Sequence, residues 1–364
     1  DFRRSRGLGD VYKRQLPEAD LQKQTHHQRR GRQLLGVTIL GTGSFVPENV
    51  VKNEDLVELG CDSDWIVQRT GILERRHATA DQATSDLAIA AAEDCLENAG
   101  VAPEEIDLIL VATMTPDHYT PSTACLVQDH FGCQAAAMDL NAACSGFTYA
   151  LITAAQFVHS GGYRRVLVIG ADVMSRVINP TDVKTYPLFG DGAGAALVGP
   201  GESLNEDGLA DVGILAYQLG ADGSGGDLLK VPACGSREPV TAEALEAGRH
   251  FLHMDGRPVF KWAVRTVAES LKSVMEEAGV NSSDLAQVIL HQANIRIIDA
   301  AISDLDLPAD KVHVNLERYG NTSAASIPLV LRETMQKGLV KPGDKVLLCG
   351  FGAGLTWASC VIQL

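Results

Sequence analysis

Two stretches of this chain repeat one another at a fixed distance, and that repetition limits the fold more than any other feature. ENAGVAPEEIDLILVA (Glu97 to Ala112) and EEAGVNSSDLAQVILH (Glu276 to His291) match at an offset of 179 residues. Each reads as a helix end, a glycine stop, a turn and a strand. The next elements agree: VLVIGA (Val166 to Ala171) and VLLCGF (Val346 to Phe351) are short apolar strands offset by 180. So long a period excludes a solenoid and suits a duplicated α/β domain.

Within each half, β-rich runs such as DLILVAT and VLVIG alternate with small-residue amphipathic runs such as SDLAIAAAEDCLENAG and SGFTYALITAAQFVHS. Such alternation predicts sheets with helices on their faces. The Gly/Pro/Asn-rich GPGESLNEDG (Gly199 to Gly208) is the expected break, which gives halves at 34–205 and 206–364. With 364 residues, 45% apolar and 21% charged, and no apolar run long enough to cross a bilayer, disordered, collagen-like and membrane classes are excluded.

Charge is uneven. Residues 1–33 carry nine Lys/Arg against four Asp/Glu, whereas the whole chain is at −15, so the body is strongly acidic and ill-suited to nucleic acid. The segment 1–33 is polar, has no apolar h-region and is not read as a signal peptide. It is expected to be a disordered tail or an extension foreign to the fold. The eight cysteines form no CxxC pair and do not cluster with histidine at metal-ligand spacing; HFLH at His250 and His253 lacks the glutamate of a zincin helix. Neither a metal nor another cofactor is expected, and free thiols fit the cytoplasm.

Three residues stand where chemistry is usually placed. Cys144, in DLNAACSGFTYA, follows a strand-like run and opens a helix-like one, among Ala142, Ala143, Ser145 and Gly146. A thiol at a helix N-terminus is expected to have a lowered pKa, and its small neighbours leave room for substrate. His291 ends the strand DLAQVIL at the edge where α/β sheets present functional groups, and its counterpart in the first half is Ala112. Asn321, in RYGNTSAAS, lies near the repeat position of Cys144. The glycine-rich turn CGFGAGLTW (Cys349 to Trp357) can converge backbone N–H groups on a small anion, and FGDGAGAALVG (Phe189 to Gly199) reads as a bulged strand entry.

Taken together, GTGSFVPENVV, DWIVQRTGI, NAACSGFTYA, FGDGAGAAL, HQANIRII, GNTSAAS and GFGAGLTW, in this order from about Leu34 to Leu364, resemble the β-ketoacyl-acyl-carrier-protein synthase III family of thiolase-like condensing enzymes. The resemblance implies a five-layer αβαβα fold from two pseudo-duplicated halves, and a homodimer. It implies a decarboxylative condensation of a primer acyl-CoA with malonyl-acyl carrier protein, initiating fatty acid synthesis. Cys144 would carry the acyl group, while His291 and Asn321 bind the malonyl thioester carbonyl. The N–H groups of Cys144 and Ala353 would form the oxyanion hole, and Phe351 would stand beside the cysteine.

The same resemblance assigns Trp65 and Arg69 to the adenine side of coenzyme A, Thr120 and Phe189 to the acyl pocket, and Lys261 and Arg296 to the acidic carrier protein. It also marks two departures. Val183, followed by Lys184, stands where some members have a second adenine-stacking arginine, which implies a weaker grip on the nucleotide. Thr120 stands where some have a phenylalanine capping the partner subunit's acyl pocket, which implies room for a longer or branched primer.

Other classes are weighed on the same residues. Papain-like proteases also run Cys, His, Asn, and the interval from Cys144 to His291 is compatible, but the local cysteine signature is missing and the duplicated pattern is wrong. Condensing enzymes of polyketide-starter, alkylquinolone or olefin pathways are closer rivals. True thiolases are disfavoured despite Cys349, because HQAN and GNTSAAS suit the decarboxylating branch.

Overall fold

The structure, a computed structural model, describes residues 33–201 and 212–364. The expected tail up to residue 32 and the expected junction at 205/206 lie outside the described residues. Ten strands build two large sheets: β1 (Leu34–Leu35), β2 (Val37–Phe45), β3 (Leu108–Ala112), β4 (Ala136–Leu140) and β5 (Val166–Asp172), then β6 (Gly192–Pro200), β7 (Gly213–Ala221), β8 (Leu285–Leu290), β9 (Lys345–Gly352) and β10 (Thr356–Gln363). The first sheet has the order β2-β6-β5-β3-β4 and the second β1-β7-β10-β9-β8.

The repeat is visible in this order. β2-β6-β5-β3 and β7-β10-β9-β8 are the same arrangement, each with one parallel pair, β5 with β3 and β9 with β8, followed by antiparallel neighbours. The place of β4 is reduced in the second half to a single parallel bridge, Val288 to Val312. β1 joins the second sheet although it precedes the first in sequence.

Seven helices complete five layers: α1 (Ser63–Thr70), α2 (Thr84–Ala99), α3 (Thr123–Phe131), α4 (Gly146–His159), α5 (Gly256–Ala278), α6 (Ile295–Asp304) and α7 (Ser326–Gln336). Helices α2 and α3 cover the outer face of the first sheet, and α5 and α6 that of the second. Between the sheets lie α4 and α7, whose Phe147, Leu151, Ala154, Ile327 and Leu331 pack against Leu108 and Val168 on one side and Val346 and Leu348 on the other. The layering follows from period-two patterning: Leu108 and Leu110 face the central layer, while Ile109 and Val111 face α2. Each such aliphatic side chain contributes roughly 1.5–3 kcal/mol when fully buried.

The two stop glycines behave identically. Gly100 (φ 63°) ends α2 and Gly279 (φ 66°) ends α5, each donating its N–H over 3.2 Å to the carbonyl of Glu97 or Glu276. Both adopt the left-handed conformation that glycine reaches without a Cβ penalty.

Candidate active site

The central layer brings two constructions face to face. After β4 the chain turns through Ala143 (φ 47°) into a short 3-10 turn, Ala143–Ser145, and continues directly as α4. At the repeat position, Ser323 (φ 52°) opens the turn Ser323–Ala325, which continues as α7. In each, an asparagine side chain braces the strained residue: Asn141 Oδ1 accepts from Ala143 N (3.2 Å), and Asn321 Oδ1 accepts from Ser323 N (2.9 Å). A left-handed non-glycine residue costs roughly 1–2 kcal/mol, so both turns are held by their surroundings.

Cys144 sits at the centre of the first turn and is buried. Burial pushes its thiol up to about 12; the Ser323 hydroxyl and the residue's own N–H pull the other way, and the Asp172 charge adds to the rise. This departs from the lowered value expected at a helix N-terminus. Desolvation in an enclosed apolar site outweighs the end of one helix, so the resting group is a thiol. Space for it is made by glycine: a Cβ at Gly352 would lie 2.7 Å from Cys144 N, and one at Gly350 would lie 2.9 Å from Ser145 Cα.

His291 leaves the end of β8 with its N–H bonded to the Cys349 carbonyl (2.8 Å). Its Nδ1 lies 2.6 Å from Ser326 Oγ, the first residue of α7, which itself accepts from Gln292 N (3.4 Å). The hydroxyl keeps a hydrogen to donate, and its donation to Nδ1 is the arrangement that places the ring hydrogen on Nε2. The Phe351 ring meets the imidazole edge-on at 5.0 Å between centroids. Burial lowers the pKa of His291 to about 3, so the ring is neutral at physiological pH.

Asn321 is fixed at three atoms. Its N–H donates to Leu188 O (2.8 Å), its carbonyl accepts from Gly190 N (3.1 Å), and its Oδ1 takes the Ser323 N–H. The Oδ1 bond settles which way the carboxamide faces and leaves Nδ2 to donate elsewhere.

Cys144, His291, Asn321, Phe189, Phe351 and Ala353 line one cavity of about 180 Å3. A second, outer cavity of about 430 Å3 is lined by Trp65, Arg69, Val183, Lys184 and Arg257. Leu188, Met254, Gly256 and Asn294 line both, so the two cavities adjoin. The Arg69 guanidinium lies 4.2 Å over the Trp65 ring, a cation–π contact. Helix α1, which carries both, is tied to α6 by Asn294 Nδ2 to Arg69 O (2.9 Å) and Arg296 Nη2 to Gln68 O (2.8 Å).

Other expected residues fall outside the cavities. Thr120 is exposed on a loop and does not line the inner cavity of its own chain. Lys261 is exposed on α5, four residues after Arg257, and Arg296 is exposed at the start of α6. Cys349 is buried behind β9 with its thiol pushed up to about 12 by burial, and it lines neither cavity. Among the described residues no three His, Cys, Asp or Glu side chains cluster as a metal site.

Three residues of the site escaped the sequence reading. Ser326 lies inside GNTSAAS, but its bond to His291 spans 35 residues and has no local signature. Arg257 gave no signal beyond a helix start. Asp172 did leave one, a carboxylate ending the otherwise apolar run VLVIGAD.

Two family models match this chain: 3-oxoacyl-[acyl-carrier-protein] synthase III over residues 138–223, and the C-terminal part of the same enzyme over residues 275–364. A β-ketoacyl-[acyl-carrier-protein] synthase III from Rhodopirellula baltica is 59% identical over 341 residues, which covers 91% of this chain and 99% of the relative. The crystal structure of the 3-oxoacyl-[acyl-carrier-protein] synthase III from Aquifex aeolicus VF5 superposes with a TM-score of 0.83 at 42% identity, covering 90% of this chain and 100% of that one. The corresponding structure from Thermus thermophilus gives 0.81 at 44% identity, over 90% of this chain and 98% of that one.

Proposed function

The chain belongs to the β-ketoacyl-[acyl-carrier-protein] synthase III family, acyltransferases that perform the initiating condensation of fatty acid synthesis, and from that premise we propose that Cys144, His291 and Asn321 carry the reaction. What supports the assignment above all is their convergence on one cavity that adjoins the outer cavity. The primer is an acyl-CoA and the extender is malonyl-acyl carrier protein.

In the first step the Cys144 sulfur attacks the acyl thioester carbonyl. The carbon–sulfur bond to coenzyme A breaks, the thiol proton ends on the departing coenzyme A sulfur, and the acyl group stays on Cys144. The N–H groups of Cys144 and Ala353 receive the oxyanion, with Gly352 leaving the approach open. In the second step the malonyl carboxylate leaves as CO2, and its electron pair becomes an enolate. His291 Nε2–H and Asn321 Nδ2–H, two neutral donors, stabilise that enolate. Its carbon attacks the acyl carbonyl, the carbon–sulfur bond to Cys144 breaks, and the released thiolate takes up one proton. No metal is required, because loss of CO2 itself supplies the carbanion.

Trp65, Arg69 and Lys184 form the coenzyme A side of the outer cavity, Phe189 the acyl pocket wall, Phe351 the guard beside the cysteine, and Lys261 and Arg296 the carrier-protein rim. A homodimer is supported by β4, an edge strand with Met138 42% exposed, beside a loop whose Tyr119 is 83% exposed. Pairing there would carry Thr120 toward the partner's cavity. The cytoplasm is supported by eight unpaired cysteines, and no described helix is long and apolar enough to cross a membrane.

Purified protein, with Cys144→Ala as control, mixed with acyl-CoAs and malonyl-acyl carrier protein and followed by mass spectrometry, tests the reading. Cys144-dependent β-ketoacyl-carrier product supports it. Acylated Cys144 without condensation would instead place the chain in a specialised branch with another extender.

A further inference from the structure

The two halves differ at one pair of positions on which the chemistry turns. Asp172 ends β5 and Gly352 ends β9, at equivalent places in the repeat; Cys144 is likewise equivalent to Ala324, and Ala353 to Val173. In the first site Gly352 has no side chain to offer, and no side-chain oxygen or nitrogen among the described residues accepts from the N–H groups of Cys144 or Ala353. In the second, both equivalent donors are taken. Ala324 N donates to Asp172 Oδ2 (3.1 Å), and Val173 N donates to Thr115 Oγ1 (2.9 Å).

Asp172 is wholly buried and has no ion-pair partner among the described residues. Its Oδ1 accepts from Thr113 Oγ1 (2.9 Å), Met114 N (2.8 Å), Thr115 Oγ1 (2.9 Å) and Thr115 N (3.2 Å). Five donors therefore converge on one carboxylate; burial pushes it above the usual carboxylate range, and these donors pull the other way, the arrangement that can satisfy an anion without a countercharge. Its contacts reach the active site on both sides: Met114 lines the inner cavity, and Ala324 belongs to the turn whose Ser323 N–H orients the Asn321 side chain.

We propose that Asp172 is a built-in anion occupying, in the second half, the place that the substrate oxyanion takes in the first, and that it is a positioning residue for condensation. It anchors the Ser323–Ala324 turn and through it aims the Asn321 carboxamide into the cavity. This rests on the reading of Asn321 given above. Its charge also adds to the rise of the Cys144 thiol that burial chiefly causes.

The test is Asp172→Asn, which keeps the shape but turns an N–H2 toward the Ala324 N–H. Two readouts are taken: the separate rates of primer transfer to Cys144 and of malonyl-carrier decarboxylation, and the pH profile of Cys144 alkylation by iodoacetamide. The expected result is a fall in decarboxylation of roughly 10- to 100-fold, the scale of a lost hydrogen bond to a charged acceptor, with primer transfer changed far less. The alkylation profile moves to lower pH. Parallel loss of both half-reactions with an unmoved alkylation profile overturns the proposal, as does unchanged decarboxylation.

Asn321→Ala run alongside separates the two readings. If it spares decarboxylation, the assignment of Asn321 fails; if it alone abolishes decarboxylation, only the role of Asp172 fails. Should Asp172→Asn not fold, Thr113→Val removes one donor at constant volume and makes the carboxyl easier to protonate. The acid limb of the decarboxylation rate then moves to higher pH, and a profile identical to the unmodified enzyme overturns the proposal.

Discussion

Ser326 Oγ lies 2.6 Å from His291 Nδ1, joining the first residue of a central helix to the ring that ends a strand of the second sheet. With the Ser326 O–H donating to Nδ1, the ring hydrogen stands on Nε2, the form able to donate to an enolate. Replacing Ser326 by alanine leaves Nδ1 buried without a partner and lets the ring hydrogen move to it. We expect decarboxylation to fall roughly 10-fold, the scale of a buried polar group left unpaired, with Cys144 acylation nearly unchanged. Ser326→Thr restores part of the rate. Equal loss in both half-reactions would mean that Ser326 supports only the packing of α7.

His291 is held neutral by burial, with a pKa near 3 in place of the usual value. Activity and stability then respond differently to acid. Decarboxylation has no acid limb from this ring between pH 5 and 8, because its donor form is unchanged across that range. The unfolded chain, by contrast, takes a proton on this histidine below about pH 6.5. The stability contribution of His291 is full above that value and is lost as pH falls toward 3, at about 1.4 kcal/mol per pH unit. Denaturant titrations of the unmodified enzyme and His291→Gln across pH 5 to 7 check this: the variant should lose less stability on acidification. Equal slopes would refute the neutral assignment.

Gly352 is needed for its missing side chain, not for its backbone, since its φ of −172° is open to any residue. A Cβ there would lie 2.7 Å from Cys144 N and 3.1 Å from Cys144 Cβ. Gly352→Ala should therefore push the Cys144 turn aside, at some cost in stability, and close the approach to the Cys144 N–H, the donor assigned to the oxyanion. Loss of one such donor costs roughly 100- to 1,000-fold in rate. Stopped-flow acylation with acetyl-CoA measures it; a rate within a few fold of the unmodified enzyme rules out this use of the Cys144 N–H.

Much of this architecture is legible in the sequence because it is written in local patterns. The repeat of helix end, glycine stop and strand at Gly100 and Gly279 announces the duplication, and the fully apolar LILVA of β3 announces a strand covered on both faces. The three central residues are legible for a related reason: each lies at an element boundary within a distinctive motif. What stays hidden is set by distance or by desolvation. The Ser326–His291 bond and the Asp172–Ala324 bond join residues 35 and 152 apart, which periodicity cannot reveal. The rise of the Cys144 thiol to about 12 depends on how fully the cavity excludes water, whereas the helix-end reading sees only the local dipole.

The outer cavity makes a separable prediction about nucleotide binding. Arg69 rests 4.2 Å over the Trp65 ring, so one of the two indole faces is already covered by a guanidinium. With Val183 on the same wall there is no second stacking arginine, and positive charge comes instead from Arg69, Lys184 and Arg257. Coenzyme A should then be held more by its phosphates than by its base. Arg257→Ala, at the entry to α5, should raise the KM for acyl-CoA roughly 10-fold and flatten its dependence on salt, with kcat little changed. Trp65→Ala should have the smaller effect. If instead Trp65→Ala raises KM far more than Arg257→Ala, the base dominates, and the loss of stacking at Val183 is made good by the indole alone.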